Sequence, residues 1–176
     1  WHLANINTFG GWLVSWGAPS VTIAVIDTGV KWDHPDLAAN IWVNADEIPN
    51  NGIDDDANGF IDDVRGWDAV NTANTACAAP LGEDCLTPDN NPMDKYGHGT
   101  AVAGAAATAT DNSIGIAGIC RTCKIMPYRA GYMTMDTTLG NVTGALLSGS
   151  WIANGITYAV NNGAEIVNLS VAGGFS

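Results

Sequence analysis

The 176 residues carry six Lys and Arg against eighteen Asp and Glu, a net charge of −12, and 47% of them are apolar. That length and apolar share suit one domain with a sizeable core, or part of a larger one, and so acidic a chain repels phosphate backbones, which argues against nucleic acid as a partner. No run of eighteen apolar residues offers a membrane span, and no basic stretch followed by an apolar one opens the chain, so any signal peptide is expected to have been removed.

Residues 1–19 place Leu3, Ile6, Trp12, Leu13 and Trp16 at loose helical spacing. This predicts a short surface helix, with Trp1, Trp12 and Trp16 packing into the core. Val21-Thr22-Ile23-Ala24-Val25-Ile26 is an apolar, largely β-branched run that reads as a strand buried on both faces, and it ends on Asp27-Thr28-Gly29. An acid at the carboxyl end of such a strand sits where open α/β sheets place their active sites. Asp after a strand also commonly caps a turn, so Asp27 alone is ambiguous. In Val30-Lys31-Trp32-Asp33-His34-Pro35-Asp36-Leu37, Pro35 stops any helix. Asp36 is left in a loop with its carboxylate free to bind, and His34 reads as a hydrogen-bonding turn residue.

Much of the acidic excess lies between Asp46 and Asp68. Asp54, Asp56 and Asn58 occupy alternate positions ahead of Gly59, which is the first half of a calcium loop. Phe60 would add its backbone carbonyl, and Asp62 or Asp63 would close the shell. Arg65 stands where an EF-hand has its bidentate glutamate, so the loop is not an EF-hand. Carboxylates crowded this closely repel one another without a cation, which favours calcium over a merely solvated turn. Residues 67–92 show little periodicity and read as a long surface loop tied by Cys77 and Cys85. The other two cysteines, Cys120 and Cys123, also form a close pair; an even number paired locally fits disulfides in an oxidising, extracellular setting. Cys120-Arg121-Thr122-Cys123 also has the spacing of a redox motif, a weak signal with no helix start behind it. Zinc is disfavoured because no His lies at ligand spacing from either pair.

Asp94-Lys95-Tyr96-Gly97-His98-Gly99-Thr100 leads into Ala101-Val102-Ala103-Gly104-Ala105-Ala106-Ala107, small residues that predict a buried helix packed closely on its neighbours. A histidine at the positive end of a helix is unusual, because that end disfavours imidazolium, and a nearby carboxylate would offset the effect. Asn112-Ser113-Ile114-Gly115-Ile116-Ala117-Gly118 is a turn whose carbonyls could ring a cation. Lys124-Ile125-Met126-Pro127-Tyr128-Arg129-Ala130 predicts a second strand, bent at Pro127. Residues 131–148 read as an inserted loop holding the sequon Asn141-Val142-Thr143. Residues 150–162 predict a helix stopped by Asn161-Asn162-Gly163. Glu165-Ile166-Val167-Asn168-Leu169-Ser170 predicts a third buried strand, and Gly173-Gly174 opens a turn.

The strand ending in Asp27-Thr28-Gly29, the Gly97-His98-Gly99-Thr100 helix entry and the later Asn168-Leu169-Ser170 strand form an ordered set. Together they resemble the subtilisin-like serine proteases, the subtilase family, and the likeness extends over nearly the whole chain through Asp33-His34-Pro35-Asp36-Leu37 and Asn112-Ser113-Ile114-Gly115-Ile116. The resemblance implies an α/β fold, a three-layer arrangement of a mostly parallel sheet flanked by helices, here incomplete at the C-terminus. Residues 1–176 would be the N-terminal portion of a single peptidase domain. It implies a serine endopeptidase in which Asp27 orients His98 and His98 takes the proton from a serine attacking the peptide carbonyl. Ser170, Val171, Ala172 and Gly173 would form one wall of the substrate pocket. Asp36 with Asn112, and the carbonyls of Thr110, Ile114 and Ile116, match the family's tight calcium site, and the Asp54-to-Asp63 loop resembles a further one found in some branches.

The family's serine, in a Gly-Thr-Ser-Met-Ala-like segment, and its oxyanion-hole asparagine are expected beyond residue 176, since neither Ser170 nor Ser176 has that context. The 176 residues alone are therefore expected to hydrolyse nothing measurable. The implied partners are a protein or peptide substrate and the C-terminal remainder of the domain, with no nucleic acid and no membrane, in a secreted protein. Asp-Thr-Gly is also the signature of aspartic proteases, but these need two such carboxylates and only one occurs here. A calcium-binding module that keeps the fold without the chemistry is the remaining alternative.

Overall fold

The computed structural model describes residues 2–172; Trp1 and Gly173 lie outside them. The chain opens with two short helices, α1 (His2–Asn5) and α2 (Thr8–Trp12), instead of one, because Asn7 adopts a left-handed conformation between them (φ 54°). Trp12 and Trp16 are not core residues: Trp12 is half-buried, Trp16 is exposed, and Leu13 and Val14 are 90% exposed. Both indoles lie under the Arg121 guanidinium instead, at 5.2 and 4.1 Å from the ring centres, so an amphipathic ring meets a cation at the surface.

β1 (Thr22–Asp27) is buried at all six positions, as a strand covered on both faces requires. It pairs in parallel with β3 (Lys124–Arg129) on one side and β6 (Ile166–Asn168) on the other. β2 (Trp67–Asp68) adds to β3, giving the order β2-β3-β1-β6. The β1–β3 register runs unbroken through the Val25–Pro127 pair. β6 is shorter and more exposed than the predicted buried strand, and among the described residues its outer edge has no partner.

The period-two alternation of β1 and β3 feeds two separate cores. Ile23, Val25 and Ile125 face α3 (His98–Ala107) through Ala103 and Ala107, together with Val30 and Leu37. Ala24, Ile26, Met126 and Tyr128 face α4 (Gly149–Asn161) through Tyr158 and Ala159. One helix on each side of a parallel sheet makes the three layers.

Residues 131–148 form an antiparallel hairpin, β4 (Gly131–Met135) and β5 (Val142–Leu147), where a loop was expected. Residues 67–92 hold β2 and a short 3-10 turn at Ala79–Leu81. Cys77–Cys85 and Cys120–Cys123 are both disulfides, and no cysteine is free. The two connections are joined by Arg129, 1% exposed at the end of β3, which pairs with Asp68 and Glu83 and donates to the Asp84 carbonyl. Glu83 in turn accepts the Met133 N–H of β4 at 3.0 Å.

Candidate active site

β1 delivers Asp27 to the carboxyl end of the sheet with its side chain fully buried. α3 begins against that point, and its second residue decides how closely. A Cβ on Gly99 would lie 2.1 Å from the Gly29 carbonyl oxygen and 3.0 Å from Asp27 Cβ, so only glycine admits the helix here. His98 Nδ1 then lies 2.8 Å from Asp27 Oδ1, an oxygen that also accepts the Thr28 N–H at 2.7 Å. Asp27 Oδ2 is buried with no hydrogen-bond partner among the described residues. The imidazole is about half exposed. With its Nδ1–H donated to the carboxylate, its other nitrogen carries a lone pair for a proton.

His98 also lines a cleft of about 170 Å³ with Tyr96, Leu147, Ser170, Val171 and Ala172. The predicted pocket residues therefore lie beside the histidine, apart from Gly173, which is outside the described residues. The second wall, from β5, was not anticipated, because residues 131–148 carry no alternation that marks a strand. Asp94 opens the helix-entry motif and carries no role in the reading of its sequence. Buried at 7% exposure, it accepts hydrogen bonds from both flanks of His98. The legible signal was an acid three residues ahead of Gly97, the spacing of an Asp side chain that caps its own turn.

Two loops carry the predicted cation ligands. Asp36, 1% exposed, accepts the Asn112 amide on Oδ1 at 2.8 Å and the Ile116 N–H on Oδ2 at 2.9 Å. Left-handed conformations at Asp111, Ser113 and Gly115 curl the segment around a space of about 220 Å³ lined by residues 109–117, Thr110, Asn112, Ile114 and Ile116 among them. The Ile116 carbonyl accepts the Thr108 hydroxyl and Thr110 Oγ1 accepts Arg121 Nε, so this loop closes on hydrogen bonds of its own. His34 Nδ1 accepts the Asp36 N–H, the turn role read from its sequence.

In the second loop Asp54 and Asp56 converge with Glu47, each offering a carboxylate oxygen within 4.8 Å of the others. Glu47 is 5% exposed; its Oε1 accepts the Asp55 and Asp56 N–H groups, and its Oε2 is buried with no partner among the described residues. An orphaned buried carboxylate oxygen beside two other carboxylates costs free energy unless a cation fills the space, so this donor set fits calcium. Glu47 was missed because it precedes the motif, and only its place in the acidic stretch marked it. Asn58 turns within the loop, its N–H shared by Asp54 and Asp56 and its Oδ1 accepting the Phe60 N–H. Asp62 and Asp63, expected to complete the shell, face other partners. Asp62 accepts the Asn51 and Gly52 N–H groups. Asp63, fully buried, accepts the Tyr158 hydroxyl of α4 at 2.6 Å and the Asn44 amide at 2.9 Å, and burial pushes its carboxyl above the usual range.

Residues 18–175 match the profile of the Subtilase family. The chain is 34% identical over 153 residues to thermitase of Thermoactinomyces vulgaris, a match covering 86% of this chain and 37% of that protein. It is 34% identical over 167 residues to the thermophilic serine proteinase of Bacillus sp. (strain AK1), covering 95% and 30%. Among solved structures it is similar to a protease from Pseudoalteromonas arctica PAMC 21717, with TM-score 0.52, 25% identity, and coverage of 88% of this chain and 42% of that one. It thus spans less than half the length of each of these proteins. A parallel sheet with an acid at the end of its central strand, a histidine opening the helix against it, and a profile match over almost its full length place the chain in the subtilase family.

Proposed function

We propose that residues 1–176 are the N-terminal portion of a single subtilisin-like domain, and that the protein carrying them is a secreted, calcium-stabilised serine endopeptidase. The observation that carries this reading is the 2.8 Å contact between His98 Nδ1 and buried Asp27 Oδ1, made where the sheet of this family opens to substrate. Asp27 holds the imidazole in the tautomer that leaves Nε2 as base and stabilises the imidazolium as it forms; His98 takes the serine proton and returns it to the leaving amine. The serine and the oxyanion-hole asparagine come from the C-terminal remainder of the domain, whose strands would continue the sheet from the open edge of β6. A peptide substrate would lie in the cleft between Ser170–Ala172 and β5. Calcium would be held by Glu47, Asp54 and Asp56, with Asn58 hydrogen-bonded to both aspartates beside them; when bound it supplies positive charge that neutralises and rigidifies the acidic loop. The paired cysteines support an oxidising, extracellular location, and no described helix is long and apolar enough to cross a membrane.

The test is reaction of the full-length protein with a serine-directed fluorophosphonate, alongside peptide hydrolysis. Labelling is expected at a serine outside these residues. His98→Ala should lower kcat by roughly a million-fold, the loss the triad histidine causes in subtilisin, and residues 1–176 alone should show no turnover. Calcium binding without labelling would instead make this a module that keeps the fold without the chemistry.

A further inference from the structure

The Asp94 side chain accepts five hydrogen bonds and donates none. Oδ1 takes the Thr28 hydroxyl at 3.0 Å and the Tyr96 and Gly97 N–H groups at 2.9 and 2.8 Å; Oδ2 takes the Thr100 N–H at 2.9 Å and its hydroxyl at 2.6 Å. Each threonine hydroxyl has one proton to give. Because Thr28 gives its proton to Asp94, its oxygen is left to accept the Gly99 N–H, at 3.0 Å. Because Thr100 does the same, its oxygen accepts the Lys31 N–H, at 2.9 Å. Both relays run from a backbone N–H through a hydroxyl to Asp94. They join the turn after β1 to the first turn of α3 at Gly99 and Thr100, just after His98, while the Gly97 N–H bond to Asp94 ties the chain just before it.

We infer that Asp94 is a positioning residue: by drawing both hydroxyl protons it fixes the start of α3 against the end of β1, and so holds His98 Nδ1 at Asp27. The inference rests on the triad reading and names the group that keeps the pair in register. A carboxamide at this position would put an NH2 among donors that already converge there, and at least one relay would have to reverse or break.

The experiment is NMR of the 15N-labelled full-length protein, following the Nδ1 proton of His98 shared with Asp27 and the two imidazole nitrogen shifts that report its tautomer. Asp94→Asn should lose that downfield proton and move the nitrogen shifts toward a mixture of tautomers. Thr28→Val, which cuts one relay with little change of shape, should do the same to a lesser extent and guards against a misfolded Asp94→Asn protein. Ile125→Val, in the core away from the relay, should lower the melting temperature and leave the His98 signals as in the wild type. If either relay variant keeps the wild-type proton and tautomer while only its melting temperature falls, Asp94 merely stabilises the fold and the inference is overturned. A wild-type protein lacking the shared proton would overturn the triad reading, and this inference with it.

Discussion

A methyl group on Gly99 would meet the Gly29 carbonyl oxygen at 2.1 Å, and both are backbone-bound, so neither side can yield cheaply. Gly99→Ala is therefore expected to cost about 1–3 kcal/mol of stability, the range for overpacking a tight contact. On the proposed endopeptidase reading it should also lower kcat/KM of the full-length protein by more than the unfolded fraction explains, since the displaced residue adjoins His98. Thermal melting and peptide hydrolysis on the same preparation separate the two effects, and an alanine variant of unchanged activity would refute the close-approach argument. Asp27 and His98 were legible in sequence because each sits at a local signal, a strand end and a glycine-flanked helix start. Glu47 and Asp94 were not. Their roles arise from what folding brings to them: an orphaned oxygen beside Asp54 and Asp56 in one case, hydroxyls from Thr28 and Thr100 in the other.

β1 and β3 could be read from their apolar runs, whereas β4 and β5 could not, since Gly131, Gly140 and Gly144 within the stretch read as loop residues. What anchors that hairpin is tertiary: the Glu83–Met133 bond and the buried Arg129 behind it. Removing Arg129 would strand Asp68 and Glu83 without a countercharge, so Arg129→Ala is expected to cost about 3–5 kcal/mol in chemical denaturation. Burial pushes the Asp68 carboxyl up to about 7 from an ordinary 3.8, Arg129 opposing but not cancelling it, and raises Glu83 as well. A carboxyl raised in the folded state binds its proton more tightly there than in the unfolded chain. The stability it contributes is thus full below about pH 4 and is lost as pH rises through about 7. Urea midpoints should therefore fall from pH 5 to pH 8, and Asp68→Asn should flatten that slope; equal slopes in the two proteins would sink the assignment.

Fold class was legible from the order of strands, helices and their turns, but the way the whole molecule tolerates a charge of −12 was only half legible. The acidic stretch announced a cation, while its carboxylates divide by tertiary context: Glu47, Asp54 and Asp56 converge, Asp62 closes a turn, and Asp63 is claimed by Tyr158. Removing calcium should then unmask repulsion that salt partly screens. At calcium near a hundred times its dissociation constant, mass action gives about 2.7 kcal/mol, so a chelator should lower the melting temperature by roughly 5–10 °C for a domain of this size. The drop should be larger at low ionic strength than at high. Glu47→Gln should abolish most of the chelator response, and Asp62→Asn should leave it in place while lowering the starting temperature. A response surviving in Glu47→Gln but lost in Asp62→Asn would transfer the cation to the ligand set first read from the sequence. No chelator response at low salt would remove the cation from this loop, leaving the buried Glu47 oxygen without a compensating charge.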